Sequence, residues 1–131
     1  MAFRILVVDD SVVARRVARR ALTMSGLDIA EIHEAAGGRE ALELLRGHWI
    51  DLVVTDVHMP EMSGQELVEA MRADPALADV PVLVVSSDTT EARRDSLLQL
   101  GARDYLTKPF SPERMRAAAL RALYPEAPHG H

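Results

Sequence analysis

The chain has 131 residues, 48% of them apolar, with 20 acids against 15 bases for a formal net charge of −5, and no cysteine. That length suits one domain with a core of its own, and the apolar share excludes a disordered chain. The acidic balance argues against a general nucleic-acid binder, and the lack of cysteine excludes disulfides, thiolate–metal sites and thiol redox chemistry.

Phe3 to Val8 (FRILVV) is a near-continuous apolar run, as a parallel strand covered on both faces requires. It begins three residues into MAFRILVVDD, which has no basic n-region, so no secretory leader is expected. A helix follows from Ser11 to about Ser25, with Val13, Val17, Ala21 and Met24 on its predicted buried stripe and arginines opposite. Gly26 is placed to stop it. Ile29 to His33 reads as a weaker strand at or near a sheet edge, and Gly37 and Gly38 break the chain before a helix begun by REALELL.

Ile50 to Thr55 is the next strong strand. Ser63, with Glu66 three residues on, predicts a capping box for the helix GQELVEAMRAD, which Pro75 ends. Val80 to Val85 is another strong strand; Thr89 or Thr90 opens the helix EARRDSLLQL, and Gly101 stops it. Asp104 to Thr107 makes a short last strand, and Ser111-Pro112 starts a helix that runs to about Leu123. The expected organisation is one domain over residues 1–124 and a disordered tail over 125–131. None of the apolar runs approaches the length of a membrane span, and a soluble cytoplasmic protein is expected.

Strict alternation of strand and helix predicts an α/β fold with a doubly wound, five-stranded parallel sheet. Function in such sheets sits outside the carboxyl ends of the strands. Asp9 and Asp10 stand after the first strand, Asp56 after the third, Ser86, Ser87 and Asp88 after the fourth, and Thr107-Lys108-Pro109 after the fifth. Converging carboxylates repel unless a cation joins them, and hard oxygen donors suit Mg²⁺ (or Mn²⁺). Lys108 can neutralise a phosphate oxygen as a point charge, and Ser86 can donate to another. The sum is a site for a phosphoryl group attached to, or passing through, a carboxylate.

VVDD near the start, D-x-x-M-P-x-M-x-G from Asp56 to Gly64, VVSS after the fourth strand and YLTKPF from Tyr105 to Phe110 together resemble a response regulator receiver domain of two-component signalling, of the stand-alone, chemotaxis-like type. The similarity runs from about Phe3 to Leu123. It implies a flavodoxin-like strand order of 2-1-3-4-5. It also implies that Asp56 is the phosphoacceptor, fed by a sensor histidine kinase or a histidine phosphotransfer protein. By the same resemblance Asp10 touches the metal directly, Asp9 acts through water, and the His58 backbone carbonyl is a further ligand. Ser86 and Lys108 bind the phosphoryl group, Tyr105 is the switch aromatic, and the Lys108–Pro109 bond is cis.

His58 and Asp88 occupy positions that, in receivers, tune the lifetime of the acyl phosphate. Arg15, Arg16 and Arg19, with Arg20, form either a solvated face of the first helix or a docking face for an acidic partner. Output is expected to pass through a downstream protein rather than nucleic acid or membrane, from a monomer or a weak dimer through the fourth helix, fifth strand and fifth helix. Such a domain is not a conventional enzyme; it catalyses only its own phosphorylation and dephosphorylation. Two other readings remain at this point. One is a magnesium-dependent phosphohydrolase with an aspartyl-phosphate intermediate, which ordinarily carries D-x-D where this chain has Asp56-Val57-His58. The other is a phosphorylation-independent interaction module on the same fold.

Overall fold

In the computed structural model, which describes residues 2–125, the chain runs β1 (Phe3–Val8), α1 (Val12–Met24), β2 (Ile29–Ala35), α2 (Gly38–Gly47), β3 (Leu52–Asp56), α3 (Gly64–Ala73), β4 (Val82–Ser86), α4 (Glu91–Leu100), β5 (Asp104–Thr107) and α5 (Pro112–Leu123). The strands form one parallel sheet in the order β2-β1-β3-β4-β5. The tail expected over 125–131 lies, from residue 126 on, outside the described residues.

β1, β3 and β4 are near-continuous apolar runs because helices cover both faces of the sheet. Their side chains alternate between two cores. Leu6, Val8, Val53 and Val84 pack with Leu42, Leu67, Met71 and Leu97 of α2, α3 and α4. Ile5, Val7, Val54 and Val85 pack with Leu22 of α1 and Met115, Ala118 and Ala119 of α5. The weaker β2 is an edge strand, as its composition suggested.

Helix ends follow local chemistry. Ser11, Ser63, Thr90 and Ser111 each accept a first-turn N–H, and Ser63 and Glu66 complete the capping box. Gly26 and Gly101 follow α1 and α4 with φ of 87° and 118°. Several element boundaries differ from expectation. Gly38 opens α2 instead of preceding it, and the third and fourth strands start at Leu52 and Val82, two residues later than their apolar runs.

The face of α1 is the main correction. Ala18, Ala21 and Leu22 are buried, while Val13, Val17 and Met24 are 69%, 52% and 59% exposed. Small side chains let α1 lie close to the sheet and α5, whose facing residues Ala118, Ala119 and Ala122 are small as well. That rotation carries Arg15 and Arg19 over β2, where both reach Glu34, at 3.1 and 3.0 Å.

The loop before β4 is held by cations instead of a core of its own. Arg72 of α3 donates to the carbonyls of Ala78, Val80 and Gly101, and Arg103 donates to those of Asp79 and Ala122. Among the described residues, no helix is long and apolar enough to cross a membrane.

Candidate functional site

Strand register assembles the site. Val8 of β1 pairs with Thr55 of β3, so Asp9 and Asp56 emerge side by side one residue later. Asp56 lies level with Val85 of β4, and Ser86 is level with Thr107 of β5, so Ser86 and Lys108 come to the same rim. The Lys108 N–H fixes this last step by donating to the Ser86 carbonyl at 2.8 Å.

Asp9, Asp10 and Asp56 each bring a carboxylate oxygen within 4.8 Å of the others. Lys108 Nζ stands 3.5 Å from Asp9 Oδ2 and 3.7 Å from Asp56 Oδ1. Asp9 Oδ1 accepts the Ser11 N–H at 3.0 Å, and Asp56 Oδ1 accepts the Val57 N–H at 2.9 Å. Burial pushes the Asp9 carboxyl above its ordinary value; Asp56 adds repulsion, and the Ser11 N–H and Lys108 oppose the rise. One ammonium, paired with Asp9 and Asp56, therefore stands beside a cluster of three carboxylates. A partly buried donor set of hard oxygens with excess negative charge fits Mg²⁺, and these residues could hold it.

The sign of the Asp9 shift gives a test. A carboxyl whose folded pKa is raised binds its proton more tightly folded than unfolded, so its contribution is favourable at acid pH and turns unfavourable as pH rises through the folded pKa. Asp9→Asn is therefore expected to raise the melting temperature of the metal-free protein at neutral pH and to remove most of the stabilisation that added Mg²⁺ confers. Thermal melts with and without Mg²⁺ measure both effects; an undiminished Mg²⁺ shift would take Asp9 out of the cation site.

The loop after β3 is shaped by contact with Asp56 itself. A Cβ on Gly64 would lie 2.1 Å from the Asp56 carbonyl oxygen, so α3 can begin there only on a glycine. The Gly64 N–H donates to the Val57 carbonyl at 2.8 Å. Met59 is buried and anchors the loop, while the His58 side chain is exposed. The tight turn falls at Glu61, with φ of 68°, closed by the Met62 N–H on the Pro60 carbonyl. Nothing in the sequence singles out Glu61 for that turn, because non-glycine residues rarely adopt positive φ.

Ser86 is buried, and its Oγ accepts the Asp88 N–H at 3.1 Å, which leaves its own proton to donate. Tyr105 is 8% exposed and points inward, its hydroxyl donating to the Asp88 carbonyl at 2.6 Å. The Lys108–Pro109 bond is cis. Asp88 Oδ1 accepts the Thr90 N–H and hydroxyl at 2.9 and 2.7 Å, and Arg93 Nε lies 3.5 Å from Oδ2. The Thr90 backbone N–H, then its hydroxyl and Arg93, hold the Asp88 carboxyl below the ordinary carboxylate range.

The α1 arginines divide. Arg15 also donates to the Asp9 carbonyl at 2.7 Å and, like Arg19, is paired with Glu34, while Arg16, Arg19 and Arg20 are all exposed. Beside them a cleft of about 520 Å³, walled by Val13, Val17, Pro109 and Phe110, opens on Asp56 and Lys108. The exposed valines were missed because their spacing reads as a buried stripe.

Comparison with known proteins gives a consistent result. The family profile described as the response regulator receiver domain matches residues 5–120. A chemotaxis protein CheY homolog of Campylobacter jejuni is 37% identical over 114 residues, covering 86% of this chain and 86% of that protein. Response regulator MprA of Mycolicibacterium vanbaalenii is 40% identical over 123 residues, covering 94% of this chain and 51% of its own length. The solved structure of the chemotaxis response regulator CheY4 of Vibrio cholerae superposes with a TM-score of 0.83 at 32% identity, covering 94% of this chain and all of that one.

Proposed function

Because the chain belongs to the response regulator receiver family, and so is a phosphorylation-controlled switch of two-component signalling, we propose that Asp56 accepts the phosphoryl group. The donor on this reading is a phosphohistidine of a sensor kinase or of a phosphotransfer protein. The observation that carries it is the placement of Lys108 Nζ 3.7 Å from Asp56 and 3.5 Å from Asp9, beside a carboxylate cluster suited to a cation.

An Asp56 carboxylate oxygen attacks phosphorus as the phosphorus–nitrogen bond to the donor imidazole breaks. Asp9, Asp10, Asp56 and the His58 carbonyl would hold Mg²⁺, which supplies charge neutralisation at the phosphoryl oxygens. Lys108 takes up charge on a second oxygen and the Ser86 hydroxyl donates to a third. Positioning and charge suffice, as in other phosphoryl transfers. Movement of Ser86 is passed through Asp88 to Tyr105, and so to the surface of β4, β5 and α4. A swing from 1:99 to 99:1 needs roughly 5.5 kcal/mol of differential stabilisation, and new charge-assisted hydrogen bonds to a phosphoryl group are of that order.

The donor docks, on this reading, against α1. Val13 and Val17 offer apolar contact, and Arg16 and Arg20 favour an acidic flank on the partner. Loss of the phosphoryl group by hydrolysis at the same site resets the switch, in the cytoplasm. The test is direct. Acetyl phosphate with Mg²⁺ should add one phosphoryl group, read by intact mass, and Asp56→Asn should abolish the addition. Labelling that survives the substitution would move the acceptor elsewhere.

A further inference from the structure

The β4–α4 loop closes on Asp88. Its N–H is committed to Ser86 Oγ and its carbonyl to the Tyr105 hydroxyl, at 3.1 and 2.6 Å. Ser87, the residue before it, lines the cleft that opens on Asp56 and Lys108. The Asp88 backbone thus belongs to the acceptor rim, yet both carboxylate oxygens are engaged by α4. Thr90 holds Oδ1 with two hydrogen bonds, and Arg93 Nε faces Oδ2 at 3.5 Å. The two side chains are 32% and 29% exposed, for Arg93 and Asp88, so this ion pair is weak enough to be broken by a single substitution without loss of the fold.

An acyl phosphate is lost when water attacks phosphorus. The water oxygen–phosphorus bond forms, the bond from phosphorus to the Asp56 oxygen breaks, and its electron pair returns to the Asp56 carboxylate. Both water protons leave on the dihydrogen phosphate released. A carboxylate able to accept a hydrogen bond from that water speeds the step. Asp88 follows Ser87 at the rim, but it is not among the residues that line the cleft. We propose that Arg93 is a positioning residue that draws the Asp88 carboxylate away from the attacking water, and so prolongs the acyl phosphate. The proposal rests on Asp56 being the acceptor.

The full chain is phosphorylated with acetyl phosphate and Mg²⁺, the donor is removed, and loss of the phosphoryl group is followed by intact mass. Arg93→Ala should shorten the half-life by about 3- to 10-fold, a fraction of a full acid–base effect, with the rate of labelling unchanged. Arg93→Lys should restore most of the lifetime. In an Asp88→Ala background, Arg93→Ala should change nothing further, since the two act as one unit. Raising the salt concentration should shorten the wild-type lifetime and leave that of Arg93→Ala alone. Equal half-lives for wild type and Arg93→Ala would overturn the proposal, as would the same acceleration in the Asp88→Ala background. Wild-type protein that takes no label at all would overturn the acceptor assignment, and this proposal with it.

Discussion

Lys108→Met is expected to slow phosphorylation of Asp56 by about 10²- to 10³-fold, the loss seen when one preorganised charge-stabilising donor is removed. The ammonium lies 3.5 and 3.7 Å from two carboxylates. At such separations a unit-charge pair is worth between about 1 kcal/mol in water and about 4 kcal/mol near a protein surface. On the proposed reading it faces the phosphoryl oxygens during transfer, where charge accumulates, and water cannot replace it without reorganising. The same substitution should have an opposite effect on the cation. With Lys108 gone, three carboxylates meet no fixed positive charge, so Mg²⁺ should bind more tightly. Acetyl phosphate kinetics at saturating Mg²⁺ give the first quantity and titration calorimetry gives the second. A variant that kept its rate would show that Lys108 is only a surface group.

Gly64→Ala is expected to cost about 2–4 kcal/mol of stability, as overpacking against backbone does, and to reduce labelling of Asp56 even where the variant stays folded. The added methyl would sit 2.1 Å from the Asp56 carbonyl oxygen and 3.0 Å from Val57 Cα. These are backbone atoms at the end of β3 and cannot swing aside as a side chain would. Either α3 backs away, breaking the Gly64 N–H bond to Val57, or Asp56 shifts from Lys108. Urea unfolding and acetyl phosphate labelling report the two outcomes separately. Wild-type values in both would mean that the loop is softer than its contacts imply.

The case of α1 shows where reading the chain succeeds and where it stops. Its start at Ser11 and its stop at Gly26 were legible because capping and positive φ depend on one residue and its immediate neighbours. Its buried face was not. Val13, Val17 and Met24 and the set Ala18, Ala21, Leu22 are both helical stripes. Only the close approach of α5, and of Glu34 on β2, selects the second. Large apolar residues then remain on the surface, beside the cleft that opens on Asp56 and Lys108.

The rim divides the same way. That Asp9, Asp10, Asp56, Ser86 and Lys108 gather there was legible because parallel strands all end on one side. The engagement of Asp88 by Thr90 and Arg93 and the turn at Glu61 were not, since each depends on how a loop settles among its partners.

By itself the chain determined which segments are strands and helices, where the capped helices start, and which charged groups reach the rim, because those follow from near-neighbour chemistry and strand direction. Only the tertiary structure decided which face each helix buries and which partner each arginine and loop carboxylate takes. Those choices are made by side chains far apart in sequence competing for the same space and the same charge.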